Sequence, residues 1–380
     1  MNKWYGDSFR VGVLGGGQLG RMLIQDALNY DVAIDCLDSD VNAPCAKIAN
    51  EFVVGAILDY KTVIDFAKTR DVITVEIENV CVEALEEIER SGKKVFPQPA
   101  VLKTIKDKGL QKVFFDKHKI PTAPYFLVNN KQEIENYFHE FPLMQKLRIG
   151  GYDGKGVHAL KSKNNLDDAF DAPCILEKMI DFHKEISVIV ARNESGEIAT
   201  FPVVECEFSA EANLVEFLFS PAQISEAVET EAIEIAQKVI KAIDMVGLLA
   251  VEMFVTKDGR VLVNEIAPRP HNSGHQTIEC NITSQYEQHL RAILNLPLGS
   301  TKLIRPGVMV NLLGEPTFTG KVIYEGLEEV MKIPGVKVHL YGKTDTKPFR
   351  KMGHTTTTAP TLMEAKEKAL LVKKLLKAKA

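Results

Sequence analysis

The segment LLAVEMFVTKDGRVLVNEIA, residues 248–267, places two glutamates, Glu252 and Glu265, on either side of an Asp-Gly pair. Asp-Gly favours a two-residue type I′ turn between antiparallel strands. With Asp258 and Gly259 as the turn, Lys257 pairs with Arg260, Val255 with Leu262, Met253 with Asn264 and Glu252 with Glu265. The two carboxylates then lie opposite each other on one face, where like charges destabilise a sheet. Among apolar neighbours the repulsion is relieved by a proton on one carboxylate or by a cation between them. Asn264 points to the other face of an ideal strand, and a bulge near Pro268 would bring its amide oxygen round. Two carboxylates and an amide oxygen suit a hard cation such as Mg²⁺. The alternatives are a solvated strand face or a shifted register, which would send one glutamate to the opposite face.

A second stretch, LMQKLRIGGYDGKGVHALK (143–161), sets Gly150, Gly151, Gly154 and Gly156 between two strand-like runs. It is not a Walker A loop, because no Ser or Thr follows Lys155 and a strand comes next. A glycine-rich hairpin lies over phosphates as a flap, its backbone N–H groups turned to the oxygens. Lys146 and Arg148 on the entering strand would add positive charge. A mobile surface hairpin is the other reading, and Tyr152 and Asp153 at the tip speak against it. In EKMIDFHKE (177–185), Glu177 and Glu185 could take an adenine amine and a ribose diol, although alone the segment favours a solvated turn.

Two further motifs have competing readings. In RVGVLGGGQLGRM (10–22), Gly15, Gly17 and Gly20 spell G-x-G-x-x-G, and Asp35, Asp38 and Asp40 follow about 20 residues on, which completes an NAD fingerprint. The same turn serves any polar or phosphorylated ligand at a helix N-terminus. In HNSGH, His271 and His275 are four apart, the spacing of a helical zinc pair, but Pro270 precedes them and Gly274 interrupts, so a loop without zinc is expected.

The elements that carry these residues follow from periodicity. VGVL, VAIDCL, EFVV and VITVEI alternate with helical stretches in the first 96 residues, a parallel α/β pattern. PQPA (97–100) punctuates its end, and IPTAP (120–124) reads as a linker into a small α+β unit. A long helix around 223–245 leads to the carboxylate hairpin, and the last 80 or so residues form a third, smaller piece ending in an amphipathic helix, EAKEKALLVKKLLKAKA. A net charge of −5 gives no reason to expect nucleic-acid binding, and no run of 18 apolar residues suggests a membrane span. MNKWYGDSF lacks the apolar core of a signal peptide, and six cysteines without a C-x-x-C pair read as reduced thiols, so a cytoplasmic protein is expected.

GGYDGKG, LEKMIDFHKE and VEMFV…VNEIAPRPHNSGH together resemble the ATP-grasp superfamily, and GGGQLGRM and RKMGH narrow the likeness to N5-carboxyaminoimidazole ribonucleotide synthetases. The resemblance runs from Val11 to His354. It implies an ATP-grasp fold in three parts: a Rossmann-like domain over 1–105, an ATP-grasp domain over 106–298 with a lid at about 121–185, and a C-terminal domain over 299–380. It implies ATP at Lys108, Lys146, Gly151, Tyr152, Asp153, Gly154, Lys155, Gly156, Val157, Glu177, Lys178, Met179, Ile180, Glu185, Asn264 and Glu265, with Mg²⁺ on Glu252, Glu265 and Asn264.

The substrate, 5-aminoimidazole ribonucleotide, would meet Gly15, Gln18, Leu19, Glu76, Tyr152, Asp153, Lys155, Arg269, His271, Asn272 and Ser273, with Lys343, Arg350 and Lys351 on its phosphate. Arg269 would contact bicarbonate, His271 would handle a proton nearby, and Tyr152 and Asp153 would also serve catalysis. A homodimer, and a mutase taking the product, belong to the same expectation. The chain departs from the family pattern at Lys108, often arginine, and at Phe208, which stands where relatives often carry a histidine near the phosphates.

Overall fold

A computed structural model describes residues 4–6, 8–151, 156–209 and 214–380. Strands β1 (Arg10–Leu14), β2 (Ala33–Asp38), β3 (Glu51–Val54), β4 (Val72–Val75) and β5 (Lys94–Val95) form a parallel sheet in the order β3-β2-β1-β4-β5. The central strands are buried on both faces, as their unbroken β-branched runs require. The helix Gln18–Ala27 follows the glycine turn after β1 and buries Leu19, Met22, Leu23 and Ile24. Pro99 does more than punctuate: it is the first residue of the helix Pro99–Lys106, where its missing N–H costs nothing.

The small α+β unit is a four-stranded antiparallel sheet of β6 (Tyr125–Val128), β7 (Leu143–Leu147), β8 (Val157–Leu160) and β9 (Cys174–Lys178), in the order β6-β9-β7-β8. Its own core gathers Val128, Ile134, Leu143, Leu160, Cys174 and Leu176. IPTAP is not a free tether. Val263 N donates to Pro121 O at 2.8 Å, Thr122 Oγ1 donates to Val263 O at 2.7 Å, and Ile120 and Ala123 are buried.

The largest sheet is antiparallel. It contains β10 (Phe182–Arg192), β11 (Ile198–Thr200), β12 (Val204–Phe208), β13 (Val215–Ser220), β14 (Gly247–Thr256), β15 (Val261–Ala267), β16 (Gly307–Leu313), β17 (Val336–Leu340) and β18 (Lys351–Thr358). The order is β15-β14-β10-β12-β13-β16-β18-β17, with β11 beside β10. Three strands from the last 80 residues therefore continue this sheet instead of building one of their own. The helix Glu226–Ala242 packs Ala232, Ile235, Ala236 and Val239 onto Val188, Val190, Leu249 and Val251. The terminal helix Leu362–Leu375 covers Phe217, Phe219, Val308 and Val310 with Ala365 and Ala369. All six cysteines are free thiols.

The carboxylate hairpin reaches the expected pairing by a different route. Thr256 N donates to Arg260 O and Gly259 N to Thr256 O, each at 2.9 Å, and of the loop residues Gly259 alone has a positive φ, +84°. The loop is thus three residues, with glycine in the left-handed position. That sets Val255 against Val261 and Met253 against Val263, one residue out of the expected register. A bulge at Asn264, not near Pro268, then restores the pairing of Glu252 with Glu265.

Nothing lies within 4 Å of where a Gly259 Cβ would sit. Gly259→Ala should therefore lower stability through backbone strain alone, by about 1–2 kcal/mol in urea unfolding. An unchanged urea midpoint would contradict the three-residue loop.

Candidate active site

Glu185 and Ser187 are two apart on β10, Ser187 pairs with Glu252, and Glu252 pairs with Glu265. Side chains two apart share a face, so three carboxylates meet on one side of the sheet. They are not equally charged. Burial and then the charges of Glu265 and Glu185 push the Glu252 carboxyl well above the usual range. The Lys108 ammonium holds Glu265 well below it, against burial. Glu185 is pushed up to about 7, by burial first, with Lys146 opposing and Glu265 adding to the rise.

The compensating cations come from one helix face and one lid strand. The helix Lys108–Lys117 is capped by Asp107, whose carboxylate accepts from Gly109 N at 2.8 Å and Leu110 N at 3.3 Å. Lys108, Gln111 and Lys112 then share a face at i, i+3 and i+4. Lys108 pairs with Glu265, Gln111 Oε1 accepts from Ile266 N at 3.3 Å, and Lys112 pairs with Glu177. Lys146, on β7, pairs with the second oxygen of Glu177 and donates to Asn264 Oδ1 at 2.9 Å. Burial opposes ionisation of Glu177, but Lys146 and Lys112 overcome it and hold the carboxyl below its usual range.

Two sequence expectations change here. Both Glu177 oxygens are engaged by lysines, so this carboxylate is not open to an adenine amine. Arg148 does not offer its charge to the cleft; it forms a two-point pair with Asp107, at 2.8 and 2.6 Å, and ties the lid to the helix cap. Lys178 Nζ donates to Glu140 O at 2.6 Å, and Met179 and Ile180 follow, with Met179 exposed. Gly151, Gly156 and Val157 flank the glycine hairpin, and Tyr152, Asp153, Gly154 and Lys155 lie outside the described residues.

The loop after β15 faces the same carboxylates. Arg269 Nε lies 2.8 Å from Glu78 Oε1, which reaches across from the first sheet. Ser273 N donates to His271 Nδ1 at 3.3 Å, so the neutral ring carries its proton on Nε2, 3.5 Å from Glu252 Oε1. Ser273 Oγ and Ser187 Oγ are 2.7 Å apart, and Asn272 exchanges amide hydrogen bonds with Asn311 at 2.9 Å. His275 is buried and stacked on His354 at 4.6 Å, away from any pairing with His271 on a helix. Among the described residues no three His, Cys, Asp or Glu side chains cluster as a metal site. Glu252, Glu265 and the Asn264 amide still suit Mg²⁺, which commonly takes one or two carboxylates and completes its shell with phosphates and water.

The glycine turn is filled from within. Glu76 Oε1 accepts from Leu19 N at 3.1 Å, and a Cβ on Gly17 would collide with the same carboxylate. Gly15 needs its φ of +110° and lies against Glu76 as well. Gly16 N donates to Asp38 at 2.7 Å, and Asp35 is enclosed with Arg10 and Arg70. Donors that a dinucleotide pyrophosphate would need are held by carboxylates of the chain itself. The NAD reading fails on that ground, and the Leu19 N–H is already taken by Glu76. Burial raises the Glu76 carboxyl, with Leu19 N and Arg269 opposing.

Lys343 Nζ donates to Lys351 O at 2.7 Å and Arg350 Nη1 to Asp345 O at 2.7 Å, so the three basic residues share one loop and strand start. Lys351 is close enough for its charge to act on Glu252. Sequence reasoning missed Arg21, 3.5 Å from where a Gly342 Cβ would sit, and also Glu78, Lys112 and Ser187. Only Lys112 had a legible signal, its i+4 spacing from Lys108.

The raised Glu185 carboxyl gives a pH test. With a folded value above the unfolded one, its contribution to stability is present below about pH 4.5 and lost as pH rises through about 7. Glu185→Gln should therefore stabilise the nucleotide-free protein at pH 8 relative to pH 5, by roughly 1–3 kcal/mol in urea unfolding. Equal effects at both pH values would contradict this.

Family models match three consecutive stretches: a ribonucleotide synthetase preATP-grasp domain over 9–106, an ATP-grasp domain over 113–286 and a phosphoribosylaminoimidazole carboxylase C-terminal domain over 307–368. The N5-carboxyaminoimidazole ribonucleotide synthase of Bacillus subtilis is 37% identical over 354 residues, covering 91% of this chain and 90% of that one. The crystal structure of N5-carboxyaminoimidazole ribonucleotide synthetase from Thermotoga maritima superposes with a TM-score of 0.90 at 43% identity, over 98% of this chain and 99% of that one. The Aspergillus clavatus enzyme in complex with ADP and 5-aminoimidazole ribonucleotide gives 0.89 at 35% identity, over 98% and 99%. The chain belongs to the N5-carboxyaminoimidazole ribonucleotide synthase family, with the ATP-grasp fold.

Proposed function

We propose that this protein is an ATP-dependent carbon–nitrogen ligase that carboxylates 5-aminoimidazole ribonucleotide to N5-carboxyaminoimidazole ribonucleotide in purine biosynthesis. The observation that carries the reading is the paired Glu252 and Glu265, with Lys108 and Lys146 beside them and the Arg269–His271 loop opening onto the same face. A bicarbonate oxygen attacks the γ-phosphorus, ADP leaves, and carboxyphosphate forms. The exocyclic amine of the ribotide captures this acyl phosphate, or the CO₂ it releases, and phosphate departs. The chain's part is to position and to balance charge.

Lys108 and Lys146 would exchange their glutamates for the nucleotide phosphates. Glu185 takes the ribose hydroxyls, and residues 177–180 border the base. Mg²⁺ on Glu252, Glu265 and Asn264 would neutralise phosphate charge. Arg269 holds bicarbonate, steadied by Glu78, and His271 manages a proton beside it. Glu76 lines the ribotide pocket with Gly15, Gln18 and Leu19, and Lys343, Arg350 and Lys351 take the phosphate. The family resemblance gives the cover that excludes water from the intermediate to residues 151–157, of which 152–155 lie outside the described residues.

The reading keeps the proposed parts at 1–105, 106–298 and 299–380, although strands of the third continue the large sheet, and has the protein work in the cytoplasm as a homodimer that passes its product to a mutase. Among the described residues no helix is long and apolar enough to cross a membrane. The deciding experiment is phosphate release with ATP, bicarbonate and the ribotide omitted in turn. Release should need all three, and equal release without the ribotide and bicarbonate would contradict the assignment.

Glu265→Gln should cut turnover by at least ~10²-fold while the protein still folds, because Glu252, relieved of the Glu265 charge, can ionise in its place near Lys108. Unchanged Mg²⁺ dependence would contradict the metal assignment. Arg350→Ala should raise the ribotide KM by about tenfold, the scale of a lost charged hydrogen bond. A rise in the ATP KM instead would move Arg350 to the nucleotide.

A further inference from the structure

Lys112 is the most buried of the three lysines that meet Glu177 and Glu265 among the described residues. Its side chain is 2% exposed, against 13% for Lys146 and 20% for Lys108. Its ammonium pairs with Glu177 and donates to Thr122 Oγ1, and the Thr122 hydroxyl donates to Val263 O at 2.7 Å. Val263 directly precedes the Asn264 bulge. One buried lysine therefore ties the Lys108 helix to lid strand β9 and to hairpin strand β15. Burying a charge is costly unless it is paired, so its place must rest on what it does to its partner.

We propose that Lys112 is a positioning residue that keeps Lys146 available to the nucleotide phosphates. Glu177 is itself 3% exposed and has one lysine on each oxygen. Burial lowers the pKa of the Lys112 ammonium, and Glu177 opposes that shift. With all three groups ionised, Lys112, Glu177 and Lys146 sum to +1, and Lys146 is the least buried of them. Without Lys112, Glu177 and Lys146 form a closed one-to-one pair in a poorly solvated site. An incoming phosphate would then have to break that pair before it could gain Lys146. With Lys112 in place, Glu177 keeps a counter-charge when Lys146 turns to the phosphate. Lys112 thus acts through Glu177 and touches no substrate.

The inference rests on the reading that Lys146 meets the ATP phosphates. Its test compares the full-length wild type with Lys112→Met, Glu177→Gln and the double variant, measuring ATP and ribotide KM by phosphate release. Lys112→Met should raise the ATP KM by at least ~10-fold and leave the ribotide KM within about twofold. The double variant should recover most of the loss, because the carboxylate that captures Lys146 is gone. Its one remaining charge in the cluster, Lys146, is the least buried member and still donates to Asn264 Oδ1, and Glu177→Gln alone serves as the folding control for the loss of that carboxylate.

A wild-type ATP KM in Lys112→Met overturns the proposal. So does a double variant whose ATP KM exceeds that of Glu177→Gln by ~10-fold, or equal rises in both KM values. Failure of the functional assignment is separate: the wild type would then show no ribotide-dependent phosphate release.

Discussion

Three carboxylates, Glu185, Glu252 and Glu265, share one face of the large sheet, and much of the surrounding structure bears that charge. Left alone they would repel across distances set by strand pairing, which side-chain motion cannot relieve. The protein answers with burial and neighbouring charge that favour the protonated form of Glu252, and with Lys108 brought to Glu265 by a capped helix. Lys146 comes from the lid, and its approach to Asn264 depends on the bulge that turns that residue out of the ladder. The nucleotide-free cleft is therefore balanced internally. A phosphorylated ligand with its cation supplies the same charges in reverse, so binding exchanges partners instead of creating bare charges.

The same logic explains how the lid meets the body. Arg148 on Asp107, Lys146 on Asn264 and Glu177 on Lys112 are polar contacts between the small sheet and the elements below it. Apolar packing would hold such a lid shut. Polar contacts hold it in register: the buried Glu177–Lys112 pair is fixed, while Lys146 is the more exposed partner and can exchange for ligand charge. On the other side, Glu78, in the turn after β4, reaches Arg269, so the loop after β15 is also held from the end of the first sheet.

Much of this was legible from residue type and spacing. The parallel first sheet follows from its β-branched runs, and the opposed glutamates follow from the Asp-Gly turn. The pairing of Glu252 with Glu265 was reached for an incomplete reason, however. A three-residue loop shifts the register by one and the Asn264 bulge shifts it back, and single-sequence patterns do not report bulges. The G-x-G-x-x-G spelling misled because the acid that fills it, Glu76, comes from the turn just after β4, 57 residues beyond Leu19. Glu78 and Arg21 were invisible for a related reason: each meets a residue distant in sequence, whereas Lys112 showed at least its i+4 spacing from Lys108. The continuation of the C-terminal strands into the large sheet lies beyond local pattern in the same way, since strand neighbours are chosen by tertiary packing.

If the account is right, the proton on Glu252 must leave when a cation arrives. Calorimetry of MgATP binding in buffers of different ionisation enthalpy counts that proton directly. Magnesium is kept in excess at pH 7.5, so that the nucleotide brings no proton of its own. The account predicts net release, up to about one proton per site, and a smaller release in Glu252→Gln. Binding with no proton release, or with uptake, would contradict the claim that opposed carboxylates are held in check by a proton until a metal takes its place.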